Sequence, residues 1–329
     1  MHNSNYMKVI IDKYVPFVEG VLEPYAEVVY ADPADINPQT VKDVDALIVR
    51  TRTKCNEHLL EDSKVRFVAT ATIGHDHIDA AYCDEKGIVW QNAAGCNATA
   101  VRQYTCAAIQ YLAEHFQMDL TTKTLGIVGV GHVGKLVEET ARNWGMKVLL
   151  CDPPRARVEG SEGFVTLQEI ATKADIITFH TPLQKQGLDA TYHICDAQFL
   201  SMLKPEACII NAARGGIIDE AALLDTHFPS RAVIDCWEGE PRLNLTLLEK
   251  VLLGTFHIAG YSLLGKVNAS TQSIQGLAHC FGLKDLYEWK APLPEDYDPN
   301  AFYDIQEDDR ALRATPHLFE IMRDTYPLR

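Results

Sequence analysis

The sequence predicts an α/β protein whose main body is a doubly wound parallel sheet, preceded by a second, smaller α/β domain and followed by a short carboxyl-terminal element. Three observations predict it. Six short apolar runs between Leu125 and Ile258 alternate with stretches long enough for helices, the pattern of strands covered on both faces by crossover helices. A glycine turn, Gly129-Val130-Gly131-His132-Val133-Gly134, joins the first of these runs to an amphipathic segment. Three more apolar runs precede residue 90, and a chain of 329 residues corresponds to about two domains of ordinary size.

Taken in order, residues 8–12, 46–49 and 67–70 are brief apolar runs that end in polar residues and read as buried strands. From Asn97, an N-cap by residue type, Val101, Tyr104, Ala108, Tyr111, Leu112 and Phe116 recur at helical spacing, so one long helix leads out of the first domain. Strands are then expected at 125–129, 147–152, 175–179, 207–211, 232–235 and 255–258, and a helix at 264–281. Proline and acid dominate 289–299 and mark a linker or extended arm. The expected domains are 1–94, 95–283 and 284–329, with hinges where the chain crosses near 93–97 and 263–266.

Composition excludes several function classes. Lys and Arg number 30 against 45 Asp and Glu, a formal charge of −15, so a broad nucleic-acid face or an anionic-membrane face is not expected. An anionic ligand must be drawn in by a local basic pocket. The nine cysteines form no CxxC pair, so neither a disulfide framework nor a zinc knuckle is readable and a reducing cytoplasm is expected. Met1–Tyr6 lacks the cationic and apolar stretches of a signal peptide, and no apolar window is long enough for a membrane span.

The glycine turn follows the run Leu125-Gly126-Ile127-Val128 and opens a helical pattern through Leu136, Val137 and Trp144. Strand, glycines and helix in this order form a dinucleotide fingerprint, in which Gly129, Gly131, His132, Val133 and Gly134 bring backbone N–H groups to a pyrophosphate. Asp152 closes the next strand, where a carboxylate accepts hydrogen bonds from ribose hydroxyls and repels a 2′-phosphate. NAD is therefore the expected cofactor, although Arg155 nearby leaves NADP as the alternative.

Arg214, Glu240 and His257 stand at the ends of later strands, where an open parallel sheet places its ligand crevice. Oxidation of a 2-hydroxy acid needs a base for the hydroxyl proton, a cation for the carboxylate and a hydride acceptor; these residues with NAD supply all three. A carboxylate beside the imidazole favours its protonated form and fixes its orientation, so one site serves oxidation as base and reduction as acid.

With Val49-Arg50-Thr51-Arg52-Thr53-Lys54, Thr70-Ala71-Thr72-Ile73-Gly74-His75-Asp76-His77, Gly95-Cys96-Asn97-Ala98, Cys151-Asp152-Pro153-Pro154-Arg155 and Phe179-His180-Thr181-Pro182-Leu183, these segments resemble the D-isomer-specific 2-hydroxyacid dehydrogenases across most of the chain. Asn211-Ala212-Ala213-Arg214-Gly215, Trp237-Glu238-Gly239-Glu240-Pro241 and His257-Ile258-Ala259-Gly260-Tyr261 continue the resemblance. It implies that Arg214 and Glu240 are catalytic and that His257 donates or accepts the proton. Asp152, Thr181, Ala212, Ala213, Asp235 and Gly260 would line the NAD site, and Thr51, Thr72 and Tyr261 would contact substrate. It also implies a substrate-binding lid in the first domain, NAD binding in the second and a homodimer formed through the carboxyl-terminal element; closure on substrate is expected because hydride transfer requires the nicotinamide and C2 to meet away from water.

One physical point favours a small phosphorylated hydroxy acid. Arg50, Arg52 and Lys54 place three cations directly after a strand of an otherwise acidic protein, on one side if that segment stays extended. No metal is expected, and His75 and His77 read as a loop pair rather than ligands. Cys96 and Cys236 flank site segments, but hydride transfer needs no nucleophile and they read as packing residues. Two rival readings share the catalytic trio: a related dehydrogenase acting on 3-phosphoglycerate, and an NAD-sensing binding protein that turns over poorly.

Overall fold

The computed structural model describes residues 7–295, 297–298 and 303–327. Met1–Tyr6, and Asp296, Pro299 and Phe302 around the acidic arm, lie outside the described residues. The chain divides into two compact units, and each carries its own parallel sheet.

The first unit contains β1 (Met7–Asp12), β2 (Ala26–Ala31), β3 (Ala46–Val49), β4 (Phe67–Thr70) and β5 (Val89–Asn92), in the order β2-β1-β3-β4-β5. Strand alternation sorts its core into two layers. Val9, Ile11, Ala46, Ile48, Phe67 and Ala69 pack with Ile274 and Leu277. Ile10, Leu47, Val49 and Val68 pack on the opposite side with Leu59, Leu60 and Cys83. The two strands not expected from the sequence, β2 and β5, are the sheet's edges. Val29, Tyr30 and Val89 are exposed there, so neither strand carries the continuous apolar run that marks a central one.

The second unit contains β6 (Thr124–Val128), β7 (Lys147–Cys151), β8 (Ile176–Phe179), β9 (Cys208–Asn211), β10 (Ala232–Ile234) and β11 (Leu253–Gly254), in the order β11-β10-β9-β8-β6-β7. A single parallel bridge from Leu150 to Phe164 continues the sheet beyond β7. The strand order reverses between β6 and β8, which makes their carboxyl ends the switch point of a doubly wound fold. The long helix Ala98–His115 buries Val101, Tyr104, Ala108 and Leu112 as the spacing predicts. Asn97 precedes it but does not cap it through its side chain, since its Oδ1 is buried without a hydrogen-bond partner.

Three expectations are corrected. The strand expected at 255–258 is the two-residue β11 instead, because the chain turns out of the sheet: His257 adopts a left-handed φ of 59°. The helix expected at 264–281 spans Leu263–Phe281, capped by Ser262, and belongs to the first unit, where Ile274, Leu277 and Ala278 enter the core. The described residues after 302 belong to the second unit. Asp309 accepts the Gly254 N–H at 2.7 Å, and Arg313 donates to the carbonyls of Leu248 and Val251. Leu312 and Phe319 are buried in that unit's core. These contacts join residues far apart in sequence, so local patterning could not divide the chain this way.

Candidate active site

The glycine turn lies at the switch point of the second sheet. Gly129 has a φ of +89°, and a Cβ there would sit 2.8 Å from the His180 carbonyl, so only glycine lets the ends of β6 and β8 approach so closely. A Cβ at Gly134 would meet the Gly129 oxygen, whereas Gly131 has open space where a side chain would stand. That opening is at the start of the twelve-residue helix His132–Asn143, with His132 exposed and Val133 half-buried in its first turn. Beside it, Thr181 Oγ1 and His180 Nδ1 are buried and have no hydrogen-bond partner among the described residues. An open cradle at a helix start and orphaned polar atoms across the switch point fit a bound dinucleotide.

Asp152 ties the turn to the end of β7. Its Oδ2 accepts the Val130 N–H at 2.8 Å and its Oδ1 accepts the Arg155 N–H at 3.1 Å. A carboxylate has about four acceptor sites, so lone pairs remain for ribose hydroxyls. Arg155 is already committed: its guanidinium grips Glu159 and donates to the Val130 carbonyl at 2.7 Å. With its charge met by Glu159, it is poorly placed to neutralise a 2′-phosphate, and NAD is the cofactor these residues fit.

The catalytic candidates Arg214, Glu240 and His257 converge on the strand ends of the same unit. Asn211 braces the turn after β9, accepting the Ala213 N–H and donating to the carbonyls of Arg214 and Cys236. A Cβ at Gly215 would lie 2.0 Å from the Trp237 carbonyl oxygen, so glycine allows the Arg214 turn to press against the Trp237–Glu240 turn. Ala212 and Ala213 are buried within it. Arg214 spends one N–H on the Ala213 carbonyl at 2.7 Å, and the rest of its fork can take a carboxylate.

His257 Nδ1 lies 2.5 Å from Glu240 Oε1, and Glu240 Oε2 accepts the Trp237 N–H at 3.1 Å. Burial works to raise the Glu240 pKa, but the His257 hydrogen bond and charge, the Trp237 N–H and the Arg323 guanidinium together carry it below the usual carboxylate value. The corner bearing His257 is built by Asp235. This fully buried carboxylate accepts the Thr255 hydroxyl at 2.7 Å, the Ile258 N–H at 2.8 Å and the Ala259 N–H at 3.0 Å. With that hydrogen spent, Thr255 Oγ1 accepts the Tyr104 hydroxyl at 2.7 Å. Asp235 therefore turns inward to shape the corner ahead of Gly260, rather than presenting a free side chain. Tyr261 follows, half-buried, with its ring 6.3 Å from that of Tyr326.

The remaining candidates are in the first unit. Arg50 ends β3, beside β1, where that sheet's order also reverses. The segment after it is not extended, because the Thr53 N–H returns to the Arg50 carbonyl at 3.2 Å. The condition for three cations on one side is therefore not met: Arg50 is half-buried, while Thr51, Arg52 and Lys54 are exposed on a turn. Thr72 Oγ1 lies 2.7 Å from Thr70 Oγ1 and donates to the Gly74 carbonyl. His77 braces the same network through Thr70 at 3.0 Å, while the His75 ring lies against Trp90. Among the described residues, no three His, Cys, Asp or Glu gather as a metal would require.

Sequence reasoning missed several groups. Lys266, on the helix Leu263–Phe281, has its pKa lowered by burial and by the charge of Arg50, which adds a cation to that neighbourhood. Glu220 is buried, its carboxyl pushed up to about 7 by burial and by Glu238 and Glu240, against the Glu238 N–H that it accepts at 2.7 Å. Arg323 approaches Glu240 at 3.8 Å. Neither Lys266 nor Arg323 sits in a motif, so no local signal marks them.

Comparison with known proteins gives a consistent family. The profile of the D-isomer specific 2-hydroxyacid dehydrogenase, NAD binding domain, matches residues 97–259. The chain is 47% identical over 336 residues to an erythronate-4-phosphate dehydrogenase of Bacteroides fragilis, covering 98% of this chain and 97% of that one. It is 39% identical to an erythronate-4-phosphate dehydrogenase of Porphyromonas gingivalis, covering 98% and 92%. Among solved structures, NAD+-bound 3-phosphoglycerate dehydrogenase from Entamoeba histolytica is similar, with a TM-score of 0.68 and 26% identity over 88% of this chain and 99% of that one.

Two outcomes are expected. Asp235→Ala strips the His257 corner of three acceptor contacts and costs about 3 kcal/mol or more, measured as a lowered urea midpoint, with activity lost in step. Glu220→Gln tests the raised carboxyl. Its folded pKa of about 7 lies above the ordinary 4.5, so below 4.5 it is protonated whether folded or not and carries no penalty. The native protein loses stability as pH rises from about 4.5 to about 7 and no more above that. The Gln variant lacks this loss, so its melting temperature exceeds that of the parent at pH 8, by the equivalent of about 3 kcal/mol, and the difference closes as pH falls to 4.5.

Proposed function

We propose, on the premise that the chain belongs to the D-isomer-specific 2-hydroxyacid dehydrogenases and is an NAD-dependent oxidoreductase, that it oxidises 4-phospho-D-erythronate at C2 to 3-hydroxy-2-oxo-4-phosphooxybutanoate. The observation that carries the chemistry is the 2.5 Å approach of His257 Nδ1 to Glu240 Oε1 at the strand ends of the NAD-binding unit. The substrate assignment is supported by the erythronate-4-phosphate dehydrogenases among the relatives. The half-buried Arg50 at the switch point of the first sheet supports a phosphorylated acid.

In this reading Glu240 holds Nδ1, which leaves Nε2 to take the proton of the 2-hydroxyl. Arg214 pairs with the substrate carboxylate and orients C2. NAD, when bound, supplies the acceptor for the C2 hydride. In the reverse direction the imidazolium returns its proton to the carbonyl oxygen. Arg50, with the charge of Lys266 beside it, supplies positive charge for the phosphate, and Thr51, Thr72 and Tyr261 supply hydroxyls.

We assign the reaction to pyridoxal 5′-phosphate biosynthesis and the protein to the cytoplasm, as a homodimer. The nine unpaired cysteines support a reducing compartment. Among the described residues no helix is long and apolar enough to cross a membrane.

Initial rates of NAD reduction on 4-phospho-D-erythronate, 3-phospho-D-glycerate, D-erythronate and D-lactate, with an oxoacid present to accept hydride from retained NADH, test the substrate. The first compound is expected to be preferred, and Arg50→Gln to erase most of its advantage over D-erythronate through KM. Activity confined to another acid discards the substrate, while no activity on any favours an NAD-sensing role. His257→Ala is expected to lower kcat by about 10²–10⁴-fold while NAD still binds in calorimetry. Unchanged turnover would remove His257 from the acid–base role.

A further inference from the structure

The Glu240 carboxylate has a second cation that the mechanism above does not use. Arg323, on the helix Phe319–Asp324, brings one terminal nitrogen to 3.8 Å from Glu240 Oε1, the oxygen that His257 Nδ1 approaches at 2.5 Å. Its side chain is one-quarter exposed. Its Nε is buried without a hydrogen-bond partner among the described residues, so the guanidinium is not consumed by another acceptor there. The other terminal nitrogen lies 3.9 Å from the exposed Glu320, and the guanidinium carbon lies 5.8 Å from the ring of the buried Phe319.

The segment that follows this helix is fastened around the histidine corner. The Tyr326 ring contacts those of Phe256 and Tyr261 at 5.5 and 6.3 Å, residues that bracket His257 in sequence. The Tyr326 hydroxyl donates to Asp308 at 2.7 Å. The tail thus packs against the segment that carries the imidazole and presents its guanidinium to the imidazole's partner.

We propose that Arg323 is a positioning residue for the acid–base pair, holding the Glu240 carboxylate ionised and oriented so that the neutral imidazole of His257 keeps its proton on Nδ1 and leaves Nε2 for substrate. This rests on the reading of His257 and Glu240 as the acid–base pair of a 2-hydroxyacid dehydrogenase. An ionised carboxylate only accepts, so Nδ1 must donate to it. Because the guanidinium charge is permanent, it also competes with the imidazolium for the same oxygen. Removing it strengthens the carboxylate's hold on a protonated imidazole and moves the pair's titration upward.

The other charged and titratable groups around the pair come from four elements. Glu320 is on the tail helix and Glu220 on the helix Glu220–Leu224. Cys236 and Glu238 are on the turn after β10, and the charge of Arg214, after β9, reaches Cys236. The acids among them place negative charge around Glu240. Arg323 opposes them from within ion-pair distance.

The test is an NMR titration of histidine-labelled protein without cofactor or substrate, with the His257 signal identified by its loss in His257→Gln. Arg323→Gln is expected to raise the pair's titration by about half a pH unit or more, and Arg323→Lys to restore most of the parental behaviour. A folded Arg323→Gln protein whose titration stays within about 0.1 unit of the parent overturns the proposal. Nitrogen shifts of the parent guard against a variant that fails to fold: neutral His257 is expected to carry its proton on Nδ1, and a proton on Nε2 overturns the proposal. Since no substrate is used, a shift in a protein inactive on every hydroxy acid retains this role for Arg323 and discards the dehydrogenase reading separately.

Discussion

The buried carboxylate of Asp235 is the constraint on which the candidate site of the NAD-binding unit depends. A carboxylate removed from water without a paired cation is stable only when its acceptor sites are filled. Here they are filled by the Thr255 hydroxyl and by the backbone N–H groups of Ile258 and Ala259. Satisfying that group forces the chain after β11 out of its strand direction and into the left-handed corner at His257. The same corner carries the imidazole to Glu240. Through Thr255 and Tyr104, the constraint extends to the helix Ala98–His115, so the corner bearing His257 is tied to the core rather than suspended on a loop.

Three glutamates near this corner show how environment separates identical side chains. Glu220 is buried beside two other acids, and its carboxyl is pushed up to about 7. Glu240 is also buried, but His257 and Arg323 supply positive charge and bring it below its ordinary value. Glu238 instead accepts from Tyr192 and pairs with His193 at 2.9 Å. The carboxyls of Glu220 and Glu240 thus follow their nearest partners and the loss of water, not residue type.

The same locality governs where positive charge stands in a protein of formal charge −15. Both sheets present cations at strand ends: Arg214 after β9 in the second unit, and Arg50 after β3 in the first, with the charge of Lys266 felt beside it. At short range these outweigh a diffuse negative surface, which salt screens over a distance of about 8–10 Å. The fold supplies the places, since strand order reverses at β6 and β8 in one sheet and at β1 and β3 in the other. The residues supply the chemistry.

Much of this was legible in the sequence. Central parallel strands are buried on both faces, so 46–49, 67–70, 125–128, 176–179, 208–211 and 232–234 declare themselves as apolar stretches. Of the fingerprint glycines, Gly129 and Gly134 are required by local approach distances, and the candidate site residues follow the ends of their strands. Edge strands β2 and β5 were not legible, because one exposed side removes that signal. The sequence by itself determined the parallel α/β class, the NAD-binding unit and the candidates Arg214, Glu240 and His257, all consequences of periodicity and of residues next to one another. Only the tertiary structure decided that 255–258 is a corner, that the helix Leu263–Phe281 joins the first unit, that Lys266 stands near Arg50 and that Arg323 reaches Glu240. Each of these depends on contacts between residues distant in the chain, formed by core packing and by satisfying buried polar groups, and such contacts leave no local pattern to read.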